Sequence, residues 1–482
     1  MGKMHFKAKG AAVFGFCAAL HIGASAQSTS PNVLFIAVDD LRPEIGAYGS
    51  LEVKTPNIDE LAAISYKFNR AYVSFPLCQP SRAAMLSGLR MANNRMPDGS
   101  KGSFDDQIKI QKTWPTLFKE ADYWTATTGK VYHGNAPHSE KQVWDVNGGV
   151  WTHGNDWSEE IVSRIVDSGG RPEQLKQYLE GEYNLGALAW ASVEGDDLLF
   201  TDGMVRRDFR DYIYNQRDKD KPFMMAIGFS RPHLPWVAPR KYFDMYPEDA
   251  GTIAPIPEGQ SKALDPVLEV QVSNGGMWNE GLTDAEAKRA IRAYMASTSY
   301  VDAQIGKVIE YLKRTGTYDN TIIIFWGDHG YFLTDHGLFR KGIEYDKSLR
   351  HPLMIHLPGQ KDTVEMDQVV ESVDIYPTLI DLAGIEKPAD VTLDGDSMVG
   401  IMNDSTAIWD NEAFVSGKKR TYGYVNQDIH FSFRGRDQSD VRLYNLKEDP
   451  GEWTDISDSP KYATWINSLR ERVKDAWNLE NQ

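Results

Sequence analysis

The sequence predicts an α/β protein whose large, mostly parallel central sheet is flanked by helices, followed by a small C-terminal α+β subdomain with an antiparallel sheet. Three observations predict it. Short continuous apolar runs such as "NVLFIAV" (32–38) and "TIIIFWG" (321–327) suit strands covered on both faces. Between such runs lie helical patterns, and strand–helix alternation of this kind builds mostly parallel sheets. From about residue 405 the texture changes to short, partly alternating runs separated by turn residues.

Taken in order, the chain opens with Lys3, Lys7 and Lys9, the apolar run "AAVFGFCAALHIG" and the small-residue site Ala24-Ser25-Ala26. This is the pattern of a secretory signal peptide, with cleavage expected after Ala26 and a periplasmic or secreted mature chain. The run is shorter than the roughly 20 apolar residues a membrane span wants, and no later run is longer, so no span is expected. Cys17 lies in the apolar run behind Phe-Gly-Phe, a poor lipoprotein site. The mature chain then keeps Cys78 alone, and no internal disulfide can form.

The strand 32–38 ends in Asp39-Asp40. "CQPSR" (78–82) leads into the helical run "AAMLSGL", with Pro80 where a first-turn proline is tolerated. "FMMAIGF" (223–229) is a further buried strand. Thr283-x-x-Glu286 is a capping box that opens a helix to about Lys313, stopped by Gly316. The strand 321–327 ends in Asp328-His329, and "PLMIHLP" (352–358) reads as another strand. "EAFVSG", "TYGYVN", "HFSFRG" and "VRLYNL" then form the antiparallel sheet, and a last helix covers 460–477. The expected units are a signal peptide over 1–26, a catalytic domain over 27–404 and a C-terminal subdomain over 405–482. The 482 residues exceed one ordinary core, and the net charge of -16 argues against a nucleic-acid partner.

Open α/β sheets bind ligands at the carboxyl ends of their strands. Asp39, Asp40 and Asp328 converge on that edge with His329. Three carboxylates in one cleft repel unless a cation or protons compensate them, and hard oxygen ligands favour Ca²⁺ or Mg²⁺. The alternative is that Asp39 caps a turn and His329 is a satisfied loop residue. Cys78 stands before a helix start, beside the fixed cation of Arg82, where a thiol has a lowered pKa and is reactive. An exposed free thiol is a liability in an oxidising compartment. Cys78 is therefore either buried and inert, or it does not stay a cysteine.

The run C-x-P-S-R, followed by Leu86 and Ser87-Gly88, resembles the signature of the type I sulfatases. Further matching stretches are "PNVLFIAVDD", "TPNIDELAA", "TGKVYHGN", "SRPHLPW", "YVDAQIGKVIEYL" and "GDHGYFLTDHG". "DDLRPEIGAYG", "RPHLPWVAPRKYFDMYP" and "DHGLFRKGIEYD" are similar to the iduronate-2-sulfatase-like branch. The resemblance implies an alkaline-phosphatase/sulfatase-like sandwich and a sulfuric ester hydrolase. It implies that a formylglycine-generating enzyme, a transient partner, oxidises Cys78 to Cα-formylglycine during export. Asp39, Asp40, Asp328, His329 and the modified Cys78 match the metal ligands, for Ca²⁺ ahead of Mg²⁺; His329 replaces the Asn of many relatives, as in the iduronate branch. Arg82 and Lys130 match the residues that hold the aldehyde hydrate and the sulfate. His133 matches the base that collapses the hydrate, and His233 and Lys341 match the pair at the sulfate and leaving oxygen.

The implied substrate is a sulfated saccharide, such as a 2-sulfated uronic acid or an algal unit of ulvan or carrageenan type. Trp144, Trp151, Trp157 and Trp190 suit sugar rings, although ordinary packing is the preferred reading of each. Arg231, Arg240, Lys241, Lys418 and Arg420 could rim a polyanion site. Two rival readings remain. A metal-dependent phosphomonoesterase or phosphodiesterase of the same superfamily would use Asp335-His336 for a second ion, and a secreted saccharide-binding protein would have lost catalysis.

Overall fold

The computed structural model describes residues 30–91, 103–149, 156, 158–170, 188–258, 282–417, 420–435 and 437–479. The expected signal peptide, Trp151, Trp157 and Lys418 lie outside the described residues. Along the chain the strands of the large sheet are β1 (Asn32–Val38), β2 (Tyr66–Tyr72), β3 (Trp124–Gly129), β4 (Val146–Asn147), β5 (Phe223–Phe229), β6 (Thr321–Gly327), β7 (Arg350–His356) and β8 (Val364–Glu371). Their order in space is β8-β2-β7-β6-β1-β5-β3-β4. β1 is central and parallel to β5 and β6, in a register that sets Val38 beside Phe229 on one side and Gly327 on the other.

The continuous apolar runs follow from burial on two faces. Val33, Phe35 and Ala37 point into one core with Met85, Trp114, Trp326 and Tyr376. Leu34, Ile36 and Val38 point into the other, covered by helices α1 (Pro56–Ala62), α3 (Thr201–Asp211) and α4 (Asp284–Arg314). Helix α2 (Cys78–Ser87) and helix α5 (Ile375–Ala383) pack on the first face. The capping box of α4 is formed: Thr283 Oγ1 accepts from the Glu286 amide at 3.3 Å, and Glu286 Oε2 accepts from the Thr283 amide at 2.7 Å. Its end is followed by Gly316 at φ +69.

Two local readings are corrected. The run expected over 352–358 occupies Arg350–His356, and β7 lies antiparallel to both β6 and β2. β6 ends at the carboxyl edge and the chain stays there through residues 328–349, so the next strand has to start from that edge and run back. Pro352 is accommodated because β7 is bulged against β2 between His351 and Leu353. Helix α2 starts at Cys78 itself rather than after it. Pro80 costs nothing there, because first-turn amides have no partner within the helix.

The C-terminal sheet has the order β9 (Glu412–Gly417), β10 (Thr421–Asn426), β11 (Ile429–Arg434), β12 (Ser439–Asn445), antiparallel throughout. Helix α6 (Ala463–Ala476) lays Ile466, Leu469 and Val473 against Tyr422, Phe431 and Leu443. A three-stranded sheet of residues 165–170, 189–193 and 236–239 packs with the N-terminal half of α4 in a third core. Among the described residues no helix is long and apolar enough to cross a membrane.

Candidate active site

The site is assembled at the carboxyl ends of β1 and β6. Because these strands are parallel neighbours, Asp39-Asp40 and Asp328-His329 emerge side by side. The Asp328 amide donates to the Val38 carbonyl at 3.1 Å, and the Asp40 amide donates to Asp328 Oδ1 at 2.9 Å. Asp40 adopts a left-handed conformation (φ +59), which aspartate tolerates better than most residues. The Tyr294 hydroxyl on α4 fixes that turn, donating to the Asp40 carbonyl at 2.9 Å and accepting from the Arg42 amide at 3.0 Å.

Helix α2 delivers two further groups from its first turns. Cys78 Sγ lies 3.4 Å from His329 Nε2, 3.2 Å from Lys341 Nζ and 3.9 Å from Asp40 Oδ1. One turn on, Arg82 is fully buried. Its Nε and Nη2 donate to Asp328 Oδ2 at 3.1 and 2.9 Å, Nη2 reaches Asp39 Oδ1 at 3.4 Å, and Nη1 donates to the carbonyls of Lys130 and Val131. The guanidinium also sits over the Trp326 ring. Ser81 donates to the Asp328 carbonyl and locks the helix to β6.

The remaining groups come from loops. β3 ends at Gly129, whose φ of +73 and close approach to the Gly228 carbonyl leave no room for a side chain, and the turn sets Lys130 Nζ on Asp39. Lys341 Nζ pairs with Asp40. His233 Nδ1 donates to the Leu234 carbonyl at 2.5 Å, so Nε2 faces the cluster, 4.0 Å from Asp40 Oδ2. His329 is set in the same way: its Nδ1 donates to the Gly330 carbonyl at 2.9 Å, which turns the Nε2 lone pair inward. His133 follows Lys130 in the same loop and stands exposed at the rim. Partial burial of its ring first, and the Lys130 cation second, hold its imidazole below the usual value, an effect that water at the rim tempers.

The charges are interleaved. Burial opposes ionisation of Asp39, but Lys130, His233, Arg82 and Lys341 together hold it well below the carboxylate range. Asp328 is pushed up to about 7, by burial first and then by Asp39. Burial and the neighbouring Asp39 carboxylate also raise Asp40. The expectation of an acidic thiol at Cys78 is corrected: burial, then Asp39, push it up, outweighing Lys341 and Lys130. Cys78 is 6% exposed, and burial of the sulfur, more than any single charge, keeps the thiol protonated.

The donor set fits a divalent cation. Ligand atoms of Asp39, Cys78, Asp328 and His329 lie within 4.8 Å of one another, as do those of Asp39, Asp40, Cys78 and His233. Three carboxylates and a lone-pair-inward imidazole are hard or borderline donors, which suit Ca²⁺ or Mg²⁺. The structure therefore brings Asp39, Asp40, Cys78, Arg82, Lys130, His233, Asp328, His329 and Lys341 together, with His133 at the rim.

Other candidates fall elsewhere. Trp144 and Trp190 are buried in separate cores. Arg231 is fully buried on Asp156 rather than rimming a cleft. Arg240 pairs with Glu194 and Lys241 with Asp197, while Arg420 is exposed. Asp335 is bound by Arg42 at 2.8 Å, and the His336 ring stacks on Trp453 with centroids 4.1 Å apart. Sequence reasoning passed over Tyr294, Ser81 and Trp326. Ser81 stands inside the quoted "CQPSR" run and could have been flagged there; the other two act across long separations that no local pattern signals.

Comparison with known proteins gives two family matches, "Sulfatase" over residues 31–385 and "N-sulphoglucosamine sulphohydrolase, C-terminal" over residues 334–478. A sulfatase of Formosa agariphila is 29% identical over 471 residues, covering 94% of this chain and 88% of that protein. Iduronate 2-sulfatase of Mus musculus is 29% identical over 420 residues, covering 77% of this chain and 72% of that protein. Among solved structures, one in complex with its substrate D-glucosamine-2-N,6-O-disulfate superposes with a TM-score of 0.70 at 23% identity, over 93% of this chain and 98% of the other. The phosphonate monoester hydrolase of Agrobacterium radiobacter superposes with a TM-score of 0.74 at 21% identity, over 92% and 95%.

Proposed function

The chain belongs to the type I sulfatase family and is a sulfuric ester hydrolase, and from that premise we propose that it removes sulfate from sulfated saccharides with a nucleophile made from Cys78. The observation that carries the reading is the placement of Cys78 among three carboxylates and the three cations of Arg82, Lys130 and Lys341. By itself the cluster is electrically balanced. A divalent ion added to the carboxylates leaves an excess of positive charge, which favours the anionic sulfate group of an ester.

In this reading Asp39, Asp40, Asp328, His329 and the modified Cys78 hold Ca²⁺, ahead of Mg²⁺. When bound, the ion lowers the cost of bringing an anionic ester to an acidic cluster and polarises the oxygens it meets. A formylglycine-generating enzyme acts on the chain before it folds, since the folded protein buries the Cys78 thiol. The hydrated aldehyde supplies two hydroxyls, one to attack sulfur and one whose deprotonation releases sulfate. Arg82 and Lys130 orient that group, and Lys341 neutralises charge on the transferring sulfate. His233, with Nδ1 spent on the Leu234 carbonyl, gives a proton from Nε2 to the leaving oxygen. His133 at the rim accepts the proton that lets sulfate depart.

The branch likeness favours a 2-sulfated uronic acid, with ulvan- and carrageenan-type units as the other candidates, and the leading segment 1–26 directs the enzyme to the periplasm or the medium. Release of free sulfate from a panel of defined sulfated oligosaccharides, with the position lost read by mass spectrometry, tests the substrate. Phosphonate and phosphate esters belong on the panel because of the fold likeness to a phosphonate monoester hydrolase. Sulfate esters are expected to turn over faster, since Asp335 and His336, needed for a second ion, are engaged by Arg42 and Trp453. A purely saccharide-binding protein has no use for the full set of groups gathered here.

A further inference from the structure

We propose that Asp202, Asp156 and Arg231, none of which reaches the reacting atoms, are positioning residues that hold His233 in register for proton transfer; the inference rests on the reading of His233 as the proton donor. His233 lies in the loop between β5 and the strand 236–239, and an imidazole on a loop must be held to a fraction of an ångström for that task. The loop is anchored from below. Asp202, in the first turn of α3, accepts from the Ser230 amide on Oδ1 at 2.7 Å and from the Arg231 amide on Oδ2 at 2.9 Å. The His233 amide then donates to the Ser230 carbonyl at 2.9 Å.

Arg231 closes the frame from the side. Its guanidinium is fully buried, with Nη1 donating to the His233 carbonyl and Nη2 paired to Asp156 Oδ2. Asp156 Oδ1 in turn accepts from the Thr201 amide at 2.7 Å, at the start of the helix that carries Asp202. Both carboxylates and the guanidinium are inaccessible to solvent. Two buried acids and one buried base spent on the backbone of Ser230, Arg231 and His233 are costly for ordinary loop closure, since buried ion pairs seldom stabilise a fold by much. What they secure is geometry: the His233 backbone is bound at both its amide and its carbonyl, and its ring is tied at Nδ1. Nε2 is the ring nitrogen turned to the site, 4.0 Å from Asp40 Oδ2.

Aryl sulfates of graded leaving-group acidity read this directly. A 4-nitrophenolate leaves without a proton, whereas 4-methoxyphenolate needs one, so loss of the donor steepens the dependence of kcat/KM on the leaving group. With aldehyde-bearing, calcium-loaded enzyme, Asp202→Asn and Arg231→Lys are expected to lower kcat/KM for 4-methoxyphenyl sulfate about tenfold more than for 4-nitrophenyl sulfate. Asp156→Asn is expected to do the same more weakly and serves if Asp202→Asn fails to fold. Equal losses on both esters, or no loss on either, overturn the positioning role. His233→Gln separates the two layers. If it steepens the dependence and the positioning variants do not, only this inference fails; if it does not steepen it, the donor reading of His233 fails.

Discussion

Replacing Arg82 by methionine keeps its length and removes its charge from the most buried part of the site. The guanidinium is 0% exposed and gives two hydrogen bonds to Asp328, one to Asp39 and two to backbone carbonyls. Deleting one partner of such a buried ion pair costs about 3–5 kcal/mol, chiefly because the carboxylates are left without compensation. That is a large part of a typical stability of about 5–15 kcal/mol. On the proposed reading, a divalent ion held by Asp39, Asp40 and Asp328 would supply the missing charge. A ligand at a hundred times its Kd stabilises by about 2.7 kcal/mol, and the variant should gain more from calcium than the parent, because its carboxylates no longer share Arg82. Guanidinium chloride unfolding with chelator and with excess calcium measures both terms. A chelated variant within about 1 kcal/mol of the parent refutes the charge accounting. Equal calcium stabilisation of parent and variant refutes the claim that ion and guanidinium share the same acids.

Cys78→Ser is expected to fold and bind calcium with the parent's midpoint, yet release at most one equivalent of alcohol per chain and no free sulfate, because a single hydroxyl has no second proton whose loss expels the bound sulfate; steady turnover contradicts this. Asp328 titrates at about 7 in the ion-free folded chain and near ~4 when unfolded, so the folded state keeps the extra proton between those values. The Asp328 contribution to the stability of chelated protein should therefore fall as pH rises from about 4 to about 7; excess calcium should remove that contribution, whereas those of Asp202 and Asp302, raised to about 7 and about 6 by burial, and the opposing one of His351, lowered to about 3 by burial, persist. An identical slope with and without calcium would place the ion elsewhere. Asp335→Asn, which weakens the grip of Arg42, is expected to cost about 1–3 kcal/mol and leave one calcium per chain by equilibrium dialysis. Two ions in the parent and one in the variant would favour the two-metal phosphoesterase reading.

Much of this fold is legible because burial on two faces leaves an unbroken apolar run. The strands 32–38, 223–229 and 321–327 occupy the residues read from the sequence for that reason, and α4 starts where its capping box says. The direction of β7 was not legible, since it depends on where the preceding loop leaves the chain rather than on any residue in the strand. Within the site, "DD" and "DH" are legible at one edge of the sheet because strand ends are where parallel sheets bind, whereas "CQPSR" reads as a helix start and joins them through the family resemblance. The acidity of Cys78 is not legible from its neighbours in sequence, because burial in the folded chain, and then Asp39 from 39 positions away, raise the thiol. Arg231 was read as a surface cation because no local pattern announces Asp156 or Asp202, which meet it only in the folded chain.

The most direct test compares two readings of one preparation from a host that carries the modifying enzyme: the fraction of the Cys78 peptide that bears an aldehyde, and the rate of sulfate release. Turnover rising in proportion to the aldehyde fraction, and vanishing when the side chain is still a thiol, is the expected result. Full sulfate release by chains whose residue 78 keeps its sulfur would contradict the proposal at its root.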